Sequence, residues 1–367
     1  MYIELENEIF ETKLELVQIE VTGFCNMHCK HCRAWNQPKK MIAKEQMTKI
    51  LSFINKVKAS DFKLTFSGGE PFLNKNLYEY LKMSKENGID QIVITTNASL
   101  VTDEWLKKLD DLQLKFLCIQ VSIDSVNEEL HDKFRGYPGA FKKCSELLDK
   151  IKKYNHIYSS IRMTITSETI NEINNMIKFA LEKKVKILGI GSVIPFGKAQ
   201  DGNLSLKPNQ KKEFIQTIAN LSNKYKEKLE IVTEDPLKFL DLYEKNDEQL
   251  NIDLTDPCKF GGCTAGISSI NINSDGIITP CSMMEEKIVN INNCKDANVI
   301  IKEYENSQII KKLFSKKYTG KCGNCALKKI CGGCRAAAKA YTGNIMGTDM
   351  SCWKWYIKIH TYILEIV

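Results

Sequence analysis

No stretch of eighteen apolar residues occurs in this 367-residue chain, so nothing in it reads as a membrane-spanning helix. The opening MYIELENEIFETKLEL is acidic and amphipathic and lacks the basic start and apolar core of a signal peptide. At the other end, WKWYIKIHTYILEIV is broken by Lys354, Lys358 and His360. Blocks of like charge are missing too. The net charge of +7 is spread over Lys-rich segments, which argues against a dedicated nucleic-acid surface. Disorder is excluded by composition: with 43% hydrophobic and 26% charged residues, the chain can bury a sizeable core. A cytoplasmic protein is therefore expected. In that reducing compartment its 14 cysteines point to metal ligation rather than disulfides.

The length exceeds the roughly 150 residues of an average domain, which predicts one large unit and a smaller one. Between residues 14 and 225, apolar β-branched runs alternate with helical patterns. The runs are LELVQIEV from 14, FKLTFS at 62–67, QIVITTN at 91–97, KFLCIQVSID at 115–124, YSSIRMTIT at 158–166 and KILGIGSVIP at 186–195. Helical periodicity fills 43–58, 75–87, 102–109, 139–153 and 170–184. Six such units predict a parallel sheet curved into an incomplete barrel, with chemistry at the carboxyl ends of its strands. After Leu206 the pattern changes, and Pro208 opens a helix over 208–228. The expected division is a barrel over 1–207, a helical bridge over 208–255, a cysteine-rich domain over 256–352 and a terminal helix over 353–367.

Chemistry-bearing residues cluster where those strands end. Cys25, Cys29 and Cys32 stand in a C-x3-C-x2-C frame after the first strand, and Gly68, Gly69, Glu70 and Pro71 spell GGEP after the second. Thr96 and Asn97 follow the third; Ser122 and Asp124 close the fourth. Taken alone, three spaced thiols suit zinc or a ferredoxin-type ligand set, Asp124 suits a helix cap, and Arg162 suits a surface ion pair. Cys triad and GGEP together resemble the radical S-adenosylmethionine (radical SAM) superfamily. The resemblance implies that Cys25, Cys29 and Cys32 hold three irons of a 4Fe-4S cluster whose fourth iron binds the methionine moiety of SAM. It also implies that Gly68, Gly69 and Glu70 receive the methionine amino group, and that Thr96, Asn97, Ser122, Asp124 and Arg162 contact ribose or carboxylate. VIPFGKA at 193–199 resembles the segment that passes the adenine.

Eight further cysteines follow as C-x4-C-x17-C and, after a gap, C-x2-C-x5-C-x2-C-x17-C. Two sets of four thiols suit either zinc knuckles or clusters. GIITPC at 276–281 and CGNCALKKICGGCRA at 322–336 resemble the SPASM extension found behind radical SAM barrels. By that resemblance Cys258, Cys263, Cys281 and Cys334 hold a first auxiliary 4Fe-4S cluster, and Cys322, Cys325, Cys331 and Cys352 a second. The step from Cys331 to Cys334 is one residue shorter than in the commonest SPASM form. The fold expected is thus α/β, a partial (β/α)6 TIM-like barrel with a C-terminal α+β SPASM domain. Cys118 and Cys144 are expected in the core, Cys294 in an exposed loop, and the aromatics Trp353, Trp355, Tyr356 and Tyr362 packed against the rest of the protein.

The resemblance implies an enzyme. It would take one electron from flavodoxin or ferredoxin, cleave SAM reductively to a 5'-deoxyadenosyl radical, and abstract hydrogen from a substrate. The substrate expected is a ribosomally made peptide, crosslinked, joined by a thioether or epimerised. Sulfatase maturation is disfavoured because Ser282, not aspartate, follows Cys281. Against a peptide, crosslinking members often carry a leader-binding domain before the barrel, and 24 residues precede Cys25 here. HCRA at 31–34 and CGGCRAAAKAYTG at 331–343 also resemble SPASM enzymes that trim tetrapyrrole side chains in haem synthesis, for which Arg33, Arg135 and Arg335 would face propionates. A non-enzymatic electron carrier or zinc scaffold is a third reading. No acid, base or hydrogen donor is assignable; Tyr137, Ser282 and Cys294 are the places to look.

Overall fold

The structure is a computed structural model and describes residues 1–6, 8–245 and 262–354. A hairpin of β1 (Tyr2–Leu5) and β2 (Glu8–Glu11) precedes the main sheet. Six parallel strands follow in the predicted order: β3 (Leu14–Thr22), β4 (Lys58–Gly68), β5 (Gln91–Thr96), β6 (Phe116–Ser122), β7 (Tyr158–Ile165) and β8 (Ile187–Ser192). The crossovers carry α1 (Lys44–Val57), α2 (Leu77–Glu86), α3 (Asp103–Asp111), α4 (Glu128–Arg135), α5 (Ala140–Ile151) and α6 (Ile173–Glu182). The short helix α4 was not anticipated. Asn127 caps its start by accepting from Leu130 N, and Gly136 ends it with φ of 60°.

Four strands extend the sheet beyond the predicted six. After α7 (Pro208–Tyr225), β9 (Glu230–Val232) pairs in parallel with β8, so the region expected to be a helical bridge also contributes a strand before α8 (Lys238–Lys245). On the opposite side β10 (Ser269–Ile272) lies parallel to β3 and continues into β11 (Ile277–Thr279) and β12 (Val289–Asn290). The cysteine-rich region is therefore hydrogen-bonded into the barrel sheet, in ten-stranded order β12-β11-β10-β3-β4-β5-β6-β7-β8-β9. Helices α9 (Ala297–Asn306), α10 (Gln308–Ser315), α11 (Gly320–Gly323) and α12 (Arg335–Thr342) complete it.

Apolar runs of this kind suit strands covered on both faces. Val17, Ile19, Leu64, Phe66, Ile92, Ile94, Ile119 and Val121 are fully buried with residues of the crossover helices. The alternate positions carry polar groups that pair across neighbouring strands. Gln18 Nε2 donates to Ser67 Oγ at 2.7 Å, and Thr95 Oγ1 to Gln120 Oε1 at 3.1 Å. Because successive side chains alternate faces, this second set lines the concave side. Among the described residues no helix is long and apolar enough to cross a membrane. Trp353 is fully buried, whereas Trp355, Tyr356 and Tyr362 lie outside the described residues.

Candidate active site and cysteine centres

The chain leaving β3 has no regular structure until α1, so backbone contacts from other elements hold the Cys25–Cys32 loop. His28 N and Lys30 N donate to Arg135 O and Phe134 O at the end of α4 (3.2 and 2.9 Å), and Lys198 N donates to Cys32 O (3.0 Å). The GGEP turn closes the other side: Gly69 N donates to Thr22 O at 2.7 Å and Glu70 N to Phe24 O at 2.8 Å. A Cβ on Gly69 would sit 2.0 Å from Phe24 O, so glycine is needed for this turn to lie against the cysteine loop.

Glu70 has no solvent exposure and accepts from Thr96 Oγ1 (2.8 Å), Asn97 N (2.8 Å) and Phe72 N (3.3 Å). Burial outweighs these bonds and raises its carboxyl pKa to about 7. Asn97 Nδ2 reaches Asn26 Oδ1 at 3.0 Å and Cys25 Sγ at 3.9 Å. The predicted residues after β3, β4 and β5 are thus one connected group. Ser122 is half-buried at the end of β6. Arg162, on β7, lies over Gly189 and Gly191 of β8, where a Cβ on Gly191 would come within 2.6 Å of its Nη2; Glu234 Oε2 is 3.8 Å from the guanidinium.

Asp124 is placed differently from the rest. It has no solvent exposure, accepts from Thr164 N at 3.0 Å and lies 2.7 Å from Arg135 Nη2. Burial would raise its pKa, but the Arg135 charge dominates and holds it below the ordinary carboxylate value. Arg135 also donates to Cys29 Sγ at 3.8 Å. Behind the pair stand His31 and His131, both lowered to about 4 by burial and hence neutral at pH 7. His31 stacks on Phe134 with ring centroids 4.7 Å apart. Arg135 had only been considered as a substrate partner; the sequence signal for its place behind the triad was HDKFRG at 131–136, a helix end marked by its glycine.

Arg33 joins the barrel to the cysteine-rich region. Its Nη1 donates to buried Glu20 Oε1 and, at 3.2 Å, to Ser282 O, next to Cys281. A second buried pair, Lys211 with Asp235, also meets Ser192 at the end of β8. Nothing in the sequence patterns had singled it out.

In the cysteine-rich region, Cys263, Cys281 and Cys334 pack in one cluster, and burial, with Cys263 beside them, raises the thiol pKa values of Cys281 and Cys334. Cys258 lies outside the described residues. Cys322, Cys325, Cys331 and Cys352 line one cavity together with Leu237, Leu240 and Leu327. Among the described residues no three His, Cys, Asp or Glu side chains converge closely enough to chelate a single ion. Burial raises the thiols of Cys25 to about 11 and of Cys281 and Cys352 to about 12, so each needs metal charge to ionise. A group of several irons fits this donor set: all-thiol, mutually grouped and, at the second set, lining one cavity.

Cys118 and Cys144 are buried in the core as expected. Cys294 is not in an exposed loop. It is 3% exposed, with its carbonyl accepting from Lys49 Nζ at 2.9 Å, because the turn before α9 packs onto α1. Its burial removes it as a substrate-facing thiol.

Residues 19–180 match the model of the radical SAM superfamily. The chain is 26% identical over 343 residues to an AdoMet-dependent heme synthase of Methanosarcina barkeri, covering 92% of this chain and 95% of that one. It is 25% identical over 328 residues to the antilisterial bacteriocin subtilosin biosynthesis protein AlbA of Bacillus subtilis, covering 86% and 66%. Its fold is similar to that of Streptococcus suis SuiB bound to precursor peptide SuiA, with a TM-score of 0.75 at 17% identity over 94% of this chain and 76% of that one. With the triad, the GGEP turn and the partial barrel assembled around one another, residues 19–180 form a domain of the radical SAM superfamily of enzymes, whose common cofactors are a 4Fe-4S cluster and S-adenosylmethionine.

Proposed function

We propose that this enzyme modifies a ribosomally made peptide and carries three 4Fe-4S clusters. Cys25, Cys29 and Cys32 hold the SAM-binding one, Cys258, Cys263, Cys281 and Cys334 the first auxiliary, and Cys322, Cys325, Cys331 and Cys352 the second. Bound cluster and SAM together supply the hydrogen-abstracting radical. Around them Gly68, Gly69 and Glu70 receive the methionine amino group, while Thr96, Asn97, Ser122 and Arg162 face ribose and carboxylate. Asp124, enclosed against Arg135, serves by holding that arginine at Cys29. Flavodoxin or ferredoxin supplies the electron. With every iron of both auxiliary clusters ligated by thiolate, their role is electron transfer.

The observation that carries the peptide reading is the commitment of Arg33, Arg135 and Arg335 to internal partners. A tetrapyrrole's propionates would need cations such as these. In addition, among the described residues β9 is an end strand of the sheet with no partner on its outer side, an edge of the kind an extended peptide pairs with. Haem-precursor modification is the second reading, favoured by the 26% identity to the M. barkeri heme synthase over nearly both whole chains.

The test is an anaerobic incubation with SAM and dithionite, offering either iron-coproporphyrin III or the short peptides encoded beside the gene. Hydrogen loss or a new crosslink in a peptide, with 5'-deoxyadenosine formed in proportion, is expected. Side-chain loss from the porphyrin instead would overturn the peptide reading.

A further inference from the structure

Arg335 begins α12 directly after Cys334 and is 2% exposed. Its Nη1 donates to Ile345 O at 3.0 Å and Gly347 O at 2.9 Å, and its Nη2 to Gly332 O and, at 3.9 Å, to Cys322 Sγ. Tyr318 covers the guanidinium face, 4.5 Å from ring centroid to Cζ. Among the described residues no carboxylate forms an ion pair with it. Asp349, which also borders Gly333, spends its oxygens on Cys334 N (2.8 Å), Ser351 N (2.9 Å) and Ser351 Oγ (2.6 Å). Among the described residues carbonyls, one ring and one thiol hold this guanidinium, and burying such a group is costly unless an anion lies beside it.

On its thiol side Arg335 faces the cavity of Cys322, Cys325, Cys331 and Cys352, which Gly332 and Gly333 also line, and a metal-bound thiolate centre there would set an anion beside it. We propose that Arg335 is a positioning residue that supplies the fixed countercharge of the second auxiliary cluster and raises its reduction potential. The inference rests on the reading that these four cysteines hold a cluster. Adding one electron makes the cluster more negative by one charge, and a cation hydrogen-bonded to a ligand sulfur stabilises the reduced form more than the oxidised one. Tyr318 packs with Cys263, Cys281 and Cys334 of one set, and Arg335 donates to Cys322 Sγ of the other, so the stack of the two side chains touches both auxiliary sites.

The experiment uses the full chain in a Cys25→Ala, Cys29→Ala, Cys32→Ala background, which leaves the auxiliary sites alone. Iron is counted, and a potentiometric titration with dithionite is followed by electron paramagnetic resonance. Fewer than about eight irons per chain in this parent would overturn the ligand reading itself. With about eight present, Cys325→Ser identifies the wave of the second cluster by displacing it. Arg335→Gln is then expected to move that wave to more negative potential and leave the other in place. Arg335→Lys, which keeps the charge but cannot hold both carbonyls and reach Cys322 Sγ, is expected to move it in the same direction by less, and is read alone where Arg335→Gln fails to retain its irons. Full iron with both waves unmoved, in either variant, overturns the inference.

Discussion

Glu70 offers the sharpest test of the site, because its environment assigns it an energy as well as a place. Its carboxyl is fully enclosed and its pKa is raised from 4.5 to about 7. In the unfolded chain the same group ionises near its ordinary value, so between these two pH values the folded protein binds more protons than the unfolded one. Stability therefore falls as pH rises through this window. At about 1.36 kcal/mol per pKa unit, the penalty is absent well below pH 4.5 and reaches about 3 kcal/mol above pH 7. Glu70→Gln removes the ionisation but sets an amide N–H against the donors Asn97 N or Thr96 Oγ1, a loss of about 1–3 kcal/mol that does not vary with pH. The readout is thus the difference between the two proteins, not either value. Anaerobic denaturant unfolding from pH 5 to 8 is expected to show wild type losing about 2–3 kcal/mol relative to the variant. Addition of SAM is expected to flatten the slope, since an ammonium beside the carboxylate lowers its pKa again. Parallel pH profiles would refute the argument.

Replacing Cys25, Cys29 and Cys32 by alanine is expected to lower iron from about twelve to about eight per chain and to abolish 5'-deoxyadenosine formation; retained cleavage would place the SAM cluster elsewhere. Asp124→Ala strands Arg135 in the core and is expected to cost about 3–5 kcal/mol in unfolding free energy, with a loss below 1 kcal/mol showing that the pair is not enclosed. Gly69→Ala forces a methyl to within 2.0 Å of Phe24 O, so the turn must move away from the cysteine loop, and SAM affinity measured by equilibrium dialysis is expected to fall at least tenfold. By contrast Cys144→Ala, at a buried thiol that touches only the backbone carbonyls of Asn97 and Ser122 by hydrogen bond, is expected to leave the iron content unchanged.

The sequence alone determined the order of the six strands, the triad and the GGEP turn. Each is a local property: strand period, the need for glycine at a close backbone approach, or thiol spacing along a few residues. What only the tertiary structure decided involves elements far apart in the chain. Which face of each apolar strand carried polar partners depended on pairings such as Gln18 with Ser67. The joining of β10 to β3 made the cysteine-rich region part of the barrel sheet, and no local pattern marks such an edge. The three arginines show the difference most plainly: in the sequence each is a candidate partner for propionates, with Arg33 and Arg335 also candidates for packing beside the cysteines they adjoin, and in the structure all are held by distant groups, Arg33 by Glu20, Arg135 by Asp124 and Arg335 by the carbonyls of Ile345 and Gly347. A charge's role is fixed by what surrounds it after folding, because desolvation and partner distance, not residue type, set its energy.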